Sequence, residues 1–450
     1  MNLKALPLVK IFICLNILVF LDYDFYPFPL ALLLLYLVFY SEDISITKYE
    51  KIVINLQVFL FLVFFRTIPI VFDKYFSIWN KIFQHNYLLS NGKIIPENIF
   101  EDLQIVLFSI SCNSTANNTL SIYPMRFSGR VVSDSNLTCP FDVPYGYALK
   151  YFNINSANVW PVTLFISVVI LLLLFKIYID QIKRSNGKNT ILIAGLFLSP
   201  PINFITQRMN IDLVIFIILY YLYQNKDINN FVKSLVISLI SLLKFYPIII
   251  LFSEFLVKIL GKKFKDSYWY LIFGLSSLYY FFFYESNLNS VNFFIKTTES
   301  NRAYGFINDS LYLSQLFQIN INVTSIILIL LIVFFLYLIR SKSFFKISEL
   351  DFHFLAMFLG LSLFVNYDYR LIFLFTLINS AICINNKYFT SVLIVFIFSS
   401  PTLLHSYTKY FRLVENDQLY YFDFSFYFFI AITIKSLFDF VYPLLINRKL

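Results

Sequence analysis

Three basic side chains lie at the ends of apolar segments, where their chemistry suits an anion. Arg208 stands in QRMNID, Lys244 in LLKFYP and Arg370 in NYDYRL, each within a residue or two of an apolar run. A cation facing lipid at such a place costs up to a few kcal/mol, so these side chains are expected to face the protein interior or a wet cavity. Arg offers a planar fork of donors and Lys a point charge, and both bind phosphate. The pattern predicts a phosphate site, with snorkelling helix ends and an Asp368–Arg370 ion pair as the alternative.

Carboxylates that can act as a base lie in the long segment 73–158. Asp73 directly follows the third apolar run, and the stretch YFSIWNKIF after it is typical of a helix lying on a membrane surface. Asp142 lies in CPFDVPYGY, where two prolines stiffen the chain. One carboxylate is enough to take a proton from an acceptor hydroxyl. Asp73 is therefore the first candidate base and Asp142 the second, Glu101 can take the role if the segment folds back, and a solvated surface carboxylate is the alternative for each.

The composition predicts the class of protein and the kind of secondary structure that carry these residues. Of the 450 residues 59% are hydrophobic and only 14% are charged, whereas soluble globular chains are about a quarter charged. The chain is therefore predicted to be an all-α polytopic membrane protein whose partner is the lipid bilayer. The formal charge of +9 comes mostly from short loops between apolar segments, which makes it a signal of topology and not of nucleic-acid binding.

The apolar segments predict about fourteen transmembrane helices. They are 7–21, 26–40, 52–72, 159–177, 190–206, 211–224, 231–243, 246–260, 267–284, 322–340, 352–366, 369–385, 388–402 and 421–443. Several are shorter than the roughly 20 residues that cross a bilayer, so some are half-spans or tilted pairs. No small-residue cleavage site follows the first, which is expected to remain as a span.

Clusters of Lys and Arg orient these spans. The densest clusters are at 176–189, 258–265 and 340–346, and such clusters mark cytoplasmic loops. Alternation then puts both termini in the cytoplasm and the long segments 73–158 and 285–321 outside, the first of them carrying interfacial helices. It also makes the segments around Arg208, Lys244 and Arg370 external hairpin tips. All three candidate phosphate ligands are thus expected on one side of the membrane.

Cysteines and histidines indicate covalent and metal chemistry only weakly. Cys112 and Cys139 share the long external segment, so they are predicted to form a disulfide in an oxidising compartment, with two free thiols as the alternative. His85, His353 and His405 are scattered and without partners, and no spacing resembles a metal site. The sequence has no P-loop and no G-x-G-x-x-G, which excludes ATP-driven transport by this chain. Neither a metal nor a cofactor is expected.

Four segments taken together resemble motifs of one enzyme family. QRMNIDLVIF, SLLKFYPIII and GFINDSLYLSQLF resemble the R-G-N-I-D, L-K-x-Y-P and N-x-S-L segments of bacterial glycosyltransferase family 87, integral-membrane enzymes of the GT-C superfamily that include polyprenyl-phosphate-mannose-type α-mannosyltransferases. NYDYRLIF is similar to segments of such relatives. The resemblance covers roughly 52–385. It departs from the family at Met209, where Gly is usual, at PYGY in place of Y-P-P-L, and in two additional spans at the start.

The resemblance implies a transferase acting on the extracytoplasmic face of the inner membrane. Its donor would be a polyprenyl-phosphate-linked sugar, such as mannose, and its acceptor a glycan or glycolipid hydroxyl. The catalytic acid of the family lies after a span in the long external loop, where Asp73 stands, and its members often need no bound metal. The matching motif positions give the remaining substrate-binding candidates, which are Asn210, Asp212, Tyr246, Asn308, Ser310 and Asp368. The implied organisation is two spans in 1–51, a catalytic core in 52–385 and further spans in 386–450.

Two other classes remain open. A glycan polymerase of the O-antigen type also has many spans, a large external loop and external Arg residues, but it does not account for the N-D-S-L and K-x-Y-P segments. A transporter is the non-enzymatic alternative. Transporters tend to show internal repeats and Gly-rich or broken helices, and 9 Gly in 450 residues argue against one.

Overall fold

The chain is an α-helical protein that divides into two units, residues 1–217 and residues 218–450. The division falls within one helix, Ile211–Gln224. The computed structural model describes residues 5–21, 27–39, 44, 46–64, 103, 159–183, 185, 187–283, 303–304, 329, 347–362, 366–377, 387–398 and 424–446.

The described part of unit 1 is built from helices, and a capping box marks the start of one of them. These are α1 (Ala5–Leu21), α2 (Pro27–Phe39), α3 (Lys48–Phe59) with the π-helical turn Leu60–Phe64, α4 (Val159–Lys183), α5 (Gly187–Phe197), α6 (Pro200–Arg208) and α7 (Ile211–Gln224). Helix α3 begins with a capping box, in which Thr47 Oγ1 accepts from the Glu50 backbone N–H and Glu50 Oε2 accepts from the Thr47 backbone N–H. Two orphan donors of the first turn are thereby satisfied.

The predicted span 190–206 is broken into α5 and α6. Pro200 and the proline after it stand at the start of α6, where their missing N–H groups cost nothing, but they cannot continue the hydrogen-bond ladder of α5. Ser199 between the helices has an extended backbone with φ −69° and ψ 159°. Every residue in 190–203 is buried, as expected for a helix pair enclosed on all sides.

One described helix is long and apolar enough to cross a membrane by itself. It is the part of α4 from Val162 to Lys183, which spans 22 residues. Shorter apolar helices in the described part are Phe28–Phe39, Ile211–Gln224, Asn230–Leu243 and Phe389–Phe398. Of the long predicted loop 73–158, only Leu103 falls among the described residues.

Unit 2 contains helices and one short pair of strands among its described residues. They are α8 (Asn230–Leu243), α9 (Ile248–Leu260), α10 (Phe264–Phe283), β1 (Ala303–Tyr304), α11 (Glu349–Leu361), β2 (Asn366–Tyr367), the 3₁₀ helix Asp368–Leu374, α12 (Lys387–Phe398) and α13 (Phe424–Ile446). The predicted span 369–385 thus opens with a 3₁₀ helix. Helices α8, α9 and α10 run alternately up and down through short turns and pack on one another.

Small and polar residues of α10 face its neighbours. Ser277 Oγ lies 2.8 Å from Ser238 Oγ of α8, and the Tyr270 hydroxyl donates to Asn230 Oδ1 at 3.1 Å. A Cβ placed on Gly274 would lie 3.3 Å from the Phe252 ring of α9, so the two helices approach closely at this glycine. Small residues at helix contacts are typical of packing between membrane helices.

Large apolar residues of α10 face outward. Phe264, Tyr268, Leu275 and Tyr279 are 63%, 57%, 53% and 65% exposed. At 3.6 residues per turn these four positions fall within an arc of about 60°. Helix α10 therefore places small and polar groups inside and large apolar groups outside, the reverse of an amphipathic helix on a soluble protein. We refer to these four residues as the outer stripe.

Candidate functional site

In unit 1 the segment QRMNID forms the short turn that joins α6 to α7. Helix α6 ends at Arg208, and Met209 takes a left-handed conformation with φ 49° and ψ 51°. Asn210 then caps α7, since its Oδ1 accepts from the Asp212 backbone N–H at 3.0 Å and its carbonyl accepts from the Leu213 N–H at 2.9 Å. Asp212 is fully buried and Asn210 nearly so. This turn therefore places the Asn210 amide and the Asp212 carboxylate in the interior, next to the end of α6.

The backbone at Met209 takes a conformation that glycine adopts more easily than other residues. An L side chain in the left-handed region costs about 1–2 kcal/mol, which glycine avoids. The Met209 side chain is fully buried, and burial of a side chain of this size contributes about 1.5–3 kcal/mol. Burial therefore offsets the strain, so methionine can stand where the family resemblance has glycine.

Two other candidate segments, LLKFYP and NYDYRLIF, lie side by side in unit 2. The Tyr246 ring, 1% exposed, meets the Phe373 ring edge to face with centroids 5.8 Å apart. Phe373 also contacts Phe354 of α11 at 5.5 Å, so one aromatic core fixes both segments. Lys244 is half-buried and ends α8 in an extended conformation. A charge at such a boundary can reach water and a buried ligand alike.

The strand pair brings Ala303 and Tyr304 to the same end of unit 2. Ala303 pairs with Tyr367 and Tyr304 with Asn366 in an antiparallel register. Tyr304 directly precedes the segment GFINDSLYLSQLF. Residues 244–247, 303–304 and 366–374, which we call the tip cluster, therefore gather parts of two of the four segments that carry the family resemblance, together with the two residues that directly precede a third.

The structure describes the side chains of some predicted site residues, only the backbone of others, and the remainder not at all. Asn210, Asp212, Lys244 and Tyr246 have the surroundings given above. For Arg208, Asp368 and Arg370 the structure gives only the backbone conformation. Phosphate binding by the three cations and substrate binding by Asp368 therefore stay predictions. The catalytic base and the disulfide stay predictions, because their residues lie outside the described part of the chain. The candidates outside it are Asp73, Asp142, Asn308, Ser310, Cys112 and Cys139.

A set of ionisable side chains around the buried Glu254, not predicted from the sequence, lies at the opposite end of unit 2. This ionic cluster consists of Lys233 on α8, Glu254 and Lys258 on α9, and Glu349 and His353 on α11. Glu254 is fully buried, and its carboxylate lies 2.9 Å from Lys233 Nζ and 3.5 Å from Lys258 Nζ. Lys258 Nζ also contacts Glu349 Oε1 at 3.2 Å. The cluster joins three helices through charge-assisted contacts.

His353 has partners, so the prediction that the histidines lack them was wrong at this position. Its Nδ1 lies 2.6 Å from Ser253 Oγ, and its Nε2 lies 3.3 Å from Glu254 Oε1. The signal in the sequence was Glu254 inside the apolar run IIILFSEFLVK, with Lys258 one helical turn later. An acid inside a hydrophobic helix needs a partner, and partners on other helices cannot be read from sequence alone.

The ionic cluster also has the residue types of a metal site. One ligand atom from each of Glu254, Glu349 and His353 lies within 4.8 Å of the others. However, Lys258 Nζ contacts both carboxylates, at 3.5 Å and 3.2 Å, and Lys233 contacts one of them. The two lysines balance the two glutamates, and a divalent cation would have to displace these ammonium groups. We therefore assign the cluster to joining α8, α9 and α11 rather than to holding a metal.

No protein-family model, no curated protein and no solved structure matches the chain.

Proposed function

We propose that the chain is an integral-membrane glycosyltransferase that moves a sugar from a polyprenyl-phosphate donor to a hydroxyl acceptor on the extracytoplasmic side. The observation that supports this most directly is the tip cluster. Tyr246 and Phe373 join two segments of the family resemblance, and the β1–β2 pair adds the two residues that directly precede a third. These segments are far apart along the chain, and a shared ligand site requires them to meet.

Exposed apolar faces support a location in the membrane. Besides the outer stripe of α10, helix α2 exposes Phe28, Leu32, Tyr36 and Phe39 to 58%, 52%, 53% and 54%. Continuous apolar faces of this extent are rare on soluble monomers and fit lipid chains. The 22-residue apolar stretch of α4 supports the same location. The GT-C-like bundle of about fourteen spans is part of the proposal, and its shorter helices would cross only by tilting or by thinning the bilayer.

In the proposed reaction the protein supplies charge and a base. Lys244 and Arg370 of unit 2 bind the donor phosphate, and Asp73 or Asp142 takes the proton of the acceptor hydroxyl. The acceptor oxygen attacks the anomeric carbon as the bond from that carbon to the phosphate oxygen breaks. The electron pair leaves on the lipid phosphate, and the configuration at the anomeric carbon inverts. Cations fixed in advance around that phosphate stabilise the negative charge that develops on it.

The test is transfer by the purified chain in lipid nanodiscs. Polyprenyl-phosphate hexoses with a labelled sugar are supplied together with a glycolipid extract, and release of lipid phosphate is followed with and without the extract. Release that depends on acceptor and falls at least tenfold in Lys244→Gln supports the proposal. Lys48→Gln, which removes an exposed lysine from the start of α3, is the matched control. Absence of transfer from every donor of the panel refutes the proposal.

Two observations favour transport as the second candidate. The break between α5 and α6 is fully enclosed, and the ionic cluster places charges within the helix bundle. Discontinuous helices and interior charges are typical of secondary transporters. Uptake of a labelled sugar or ion into proteoliposomes, measured with and without a proton gradient, separates this function from transfer. Uptake without any cleavage of the donor would favour transport.

A further inference from the structure

The turn between α9 and α10 holds a lysine in a strained conformation. Helix α9 ends with two reversed hydrogen bonds, from Lys263 N–H to the Lys258 carbonyl at 2.8 Å and from Lys262 N–H to the Ile259 carbonyl at 3.0 Å. This ending needs a left-handed residue at position 262, and Lys262 has φ 58°. Glycine usually fills such a place, because a side chain there costs about 1–2 kcal/mol. Here the glycine, Gly261, stands one residue earlier and the lysine takes the strained position.

The lysines of this turn extend into the surroundings without acidic partners in the described structure. Lys262, Lys263 and Lys265 are exposed, and none of them forms an ion pair with a described residue. The acid nearest in sequence is Asp266, which is half-buried. The turn therefore presents a net charge of about +2, three lysines less one carboxylate, that no described contact inside the fold uses.

Exposed aromatic rings flank these lysines. Phe264, Tyr268 and Trp269 are 63%, 57% and 37% exposed, and the Trp269 ring meets the ring of Phe231 on α8 at 4.8 Å. Aromatic rings beside lysines are the arrangement found where a protein crosses the boundary between lipid chains and headgroups. Phe264 and Tyr268 also begin the outer stripe. Positive charge and an apolar face thus follow one another along one helix.

We propose that the basic turn, Gly261–Lys265 with Tyr268 and Trp269, binds the headgroup of an anionic phospholipid whose acyl chains lie along the outer stripe of α10. Charge complementarity selects the phosphate of the headgroup, and the adjoining apolar face selects a lipid over a soluble anion. The strain at Lys262 fits this assignment, because a glycine there would give a more stable turn with one charge fewer. The surface lies at the end of unit 2 that holds the ionic cluster, away from the tip cluster.

The test measures lipid binding directly, so its outcome is independent of glycosyl transfer. The full chain in nonionic detergent is titrated with dioctanoyl phosphatidylglycerol or dioctanoyl phosphatidylcholine, and bound lipid is counted by native mass spectrometry. We expect selective binding of the phosphatidylglycerol, weakened by added salt. A lysine near anionic headgroups contributes about 1 kcal/mol, which corresponds to about fivefold in affinity. Replacement of Lys262, Lys263 and Lys265 together by Gln should therefore lower the affinity about a hundredfold.

Lys262→Gly is the decisive variant, because stability and binding should move in opposite directions. Relief of the left-handed strain should raise the thermal midpoint, while loss of the charge should weaken phosphatidylglycerol binding about fivefold. Lys262→Arg should keep the affinity, and Lys48→Gln, at an exposed position on α3, should leave it unchanged. Unchanged affinity in Lys262→Gly, equal binding of the two lipids, or displacement of the lipid by inorganic phosphate would each overturn the proposal.

Discussion

Removal of the charge of Glu254 should lower the free energy of unfolding more than removal of the charge of any exposed acid. Glu254→Gln keeps the shape of a fully buried side chain but leaves Lys233, 12% exposed, without its carboxylate at 2.9 Å. Lys258 retains Glu349 at 3.2 Å, so one ammonium and not two loses its counter-charge. Breaking a buried pair from one side costs about 3–5 kcal/mol. Lys233 Nζ keeps a contact of 3.6 Å with the centroid of the Tyr223 ring, which places the expected loss at the lower end, near about 3 kcal/mol.

The measurement is a double-mutant cycle on the purified protein, with the free energy of unfolding followed by denaturant titration in detergent. Lys233→Met in the Glu254→Gln background should cost at least about 1 kcal/mol less than it does in the wild type, because the charge that it removes is already uncompensated. Glu349→Gln, at a side chain 43% exposed, is the control and should cost no more than about 1 kcal/mol. Equal losses in Glu254→Gln and Glu349→Gln, or an absence of coupling in the cycle, would refute this account of the ionic cluster.

Three further predictions address the candidate site. Met209→Ala should destabilise the protein more than Met209→Gly in thermal unfolding. Both variants lose the buried side chain, but only glycine relieves about 1 kcal/mol of left-handed strain. The opposite order would contradict the backbone conformation. Tyr246→Ala should cost about 3–5 kcal/mol of unfolding free energy and Tyr246→Phe much less, because the contact with Phe373 is made by the ring. Asp73→Asn should lower turnover at least a hundredfold with donor binding retained in a filter assay, whereas near-normal turnover in Asp73→Asn together with loss in Asp142→Asn would transfer the role of base.

Local features of the fold could be read from the sequence because their causes are local. The capping box of Thr47 and Glu50 and that of Ser348 and Asp351 are short motifs whose hydrogen bonds join residues three apart. Apolar runs placed most described helices within a few residues of their observed bounds. The break before Pro200 was missed because the run of apolar residues continues through it. Hydropathy records burial, and it does not record whether the hydrogen-bond ladder is continuous.

Contacts between distant segments needed the structure. Lys258 entered the sequence argument within a cluster that marks a cytoplasmic loop, yet it pairs with the buried Glu254, as Lys233 does. The link from Ser253 to His353 spans 100 residues, a separation over which sequence patterns carry no pairing information. The tip segments were expected on one side of the membrane from charge alternation. That argument could not choose which of them touch, and the contact between Tyr246 and Phe373 depends on how α9 and α11 pack.

If the chain lies in a membrane as proposed, the shortness of α8 and α9 has a consequence for the surrounding bilayer. With 14 and 13 residues they extend about 20 Å at 1.5 Å per residue, whereas the hydrocarbon layer of a membrane is about 30 Å thick. A bundle with such hydrophobic mismatch draws the two lipid leaflets together locally. Headgroup phosphates beside the tip cluster would then lie deeper than elsewhere, and a lipid-linked phosphate could meet Lys244 while its polyprenyl chain remains dissolved in the thinned leaflet.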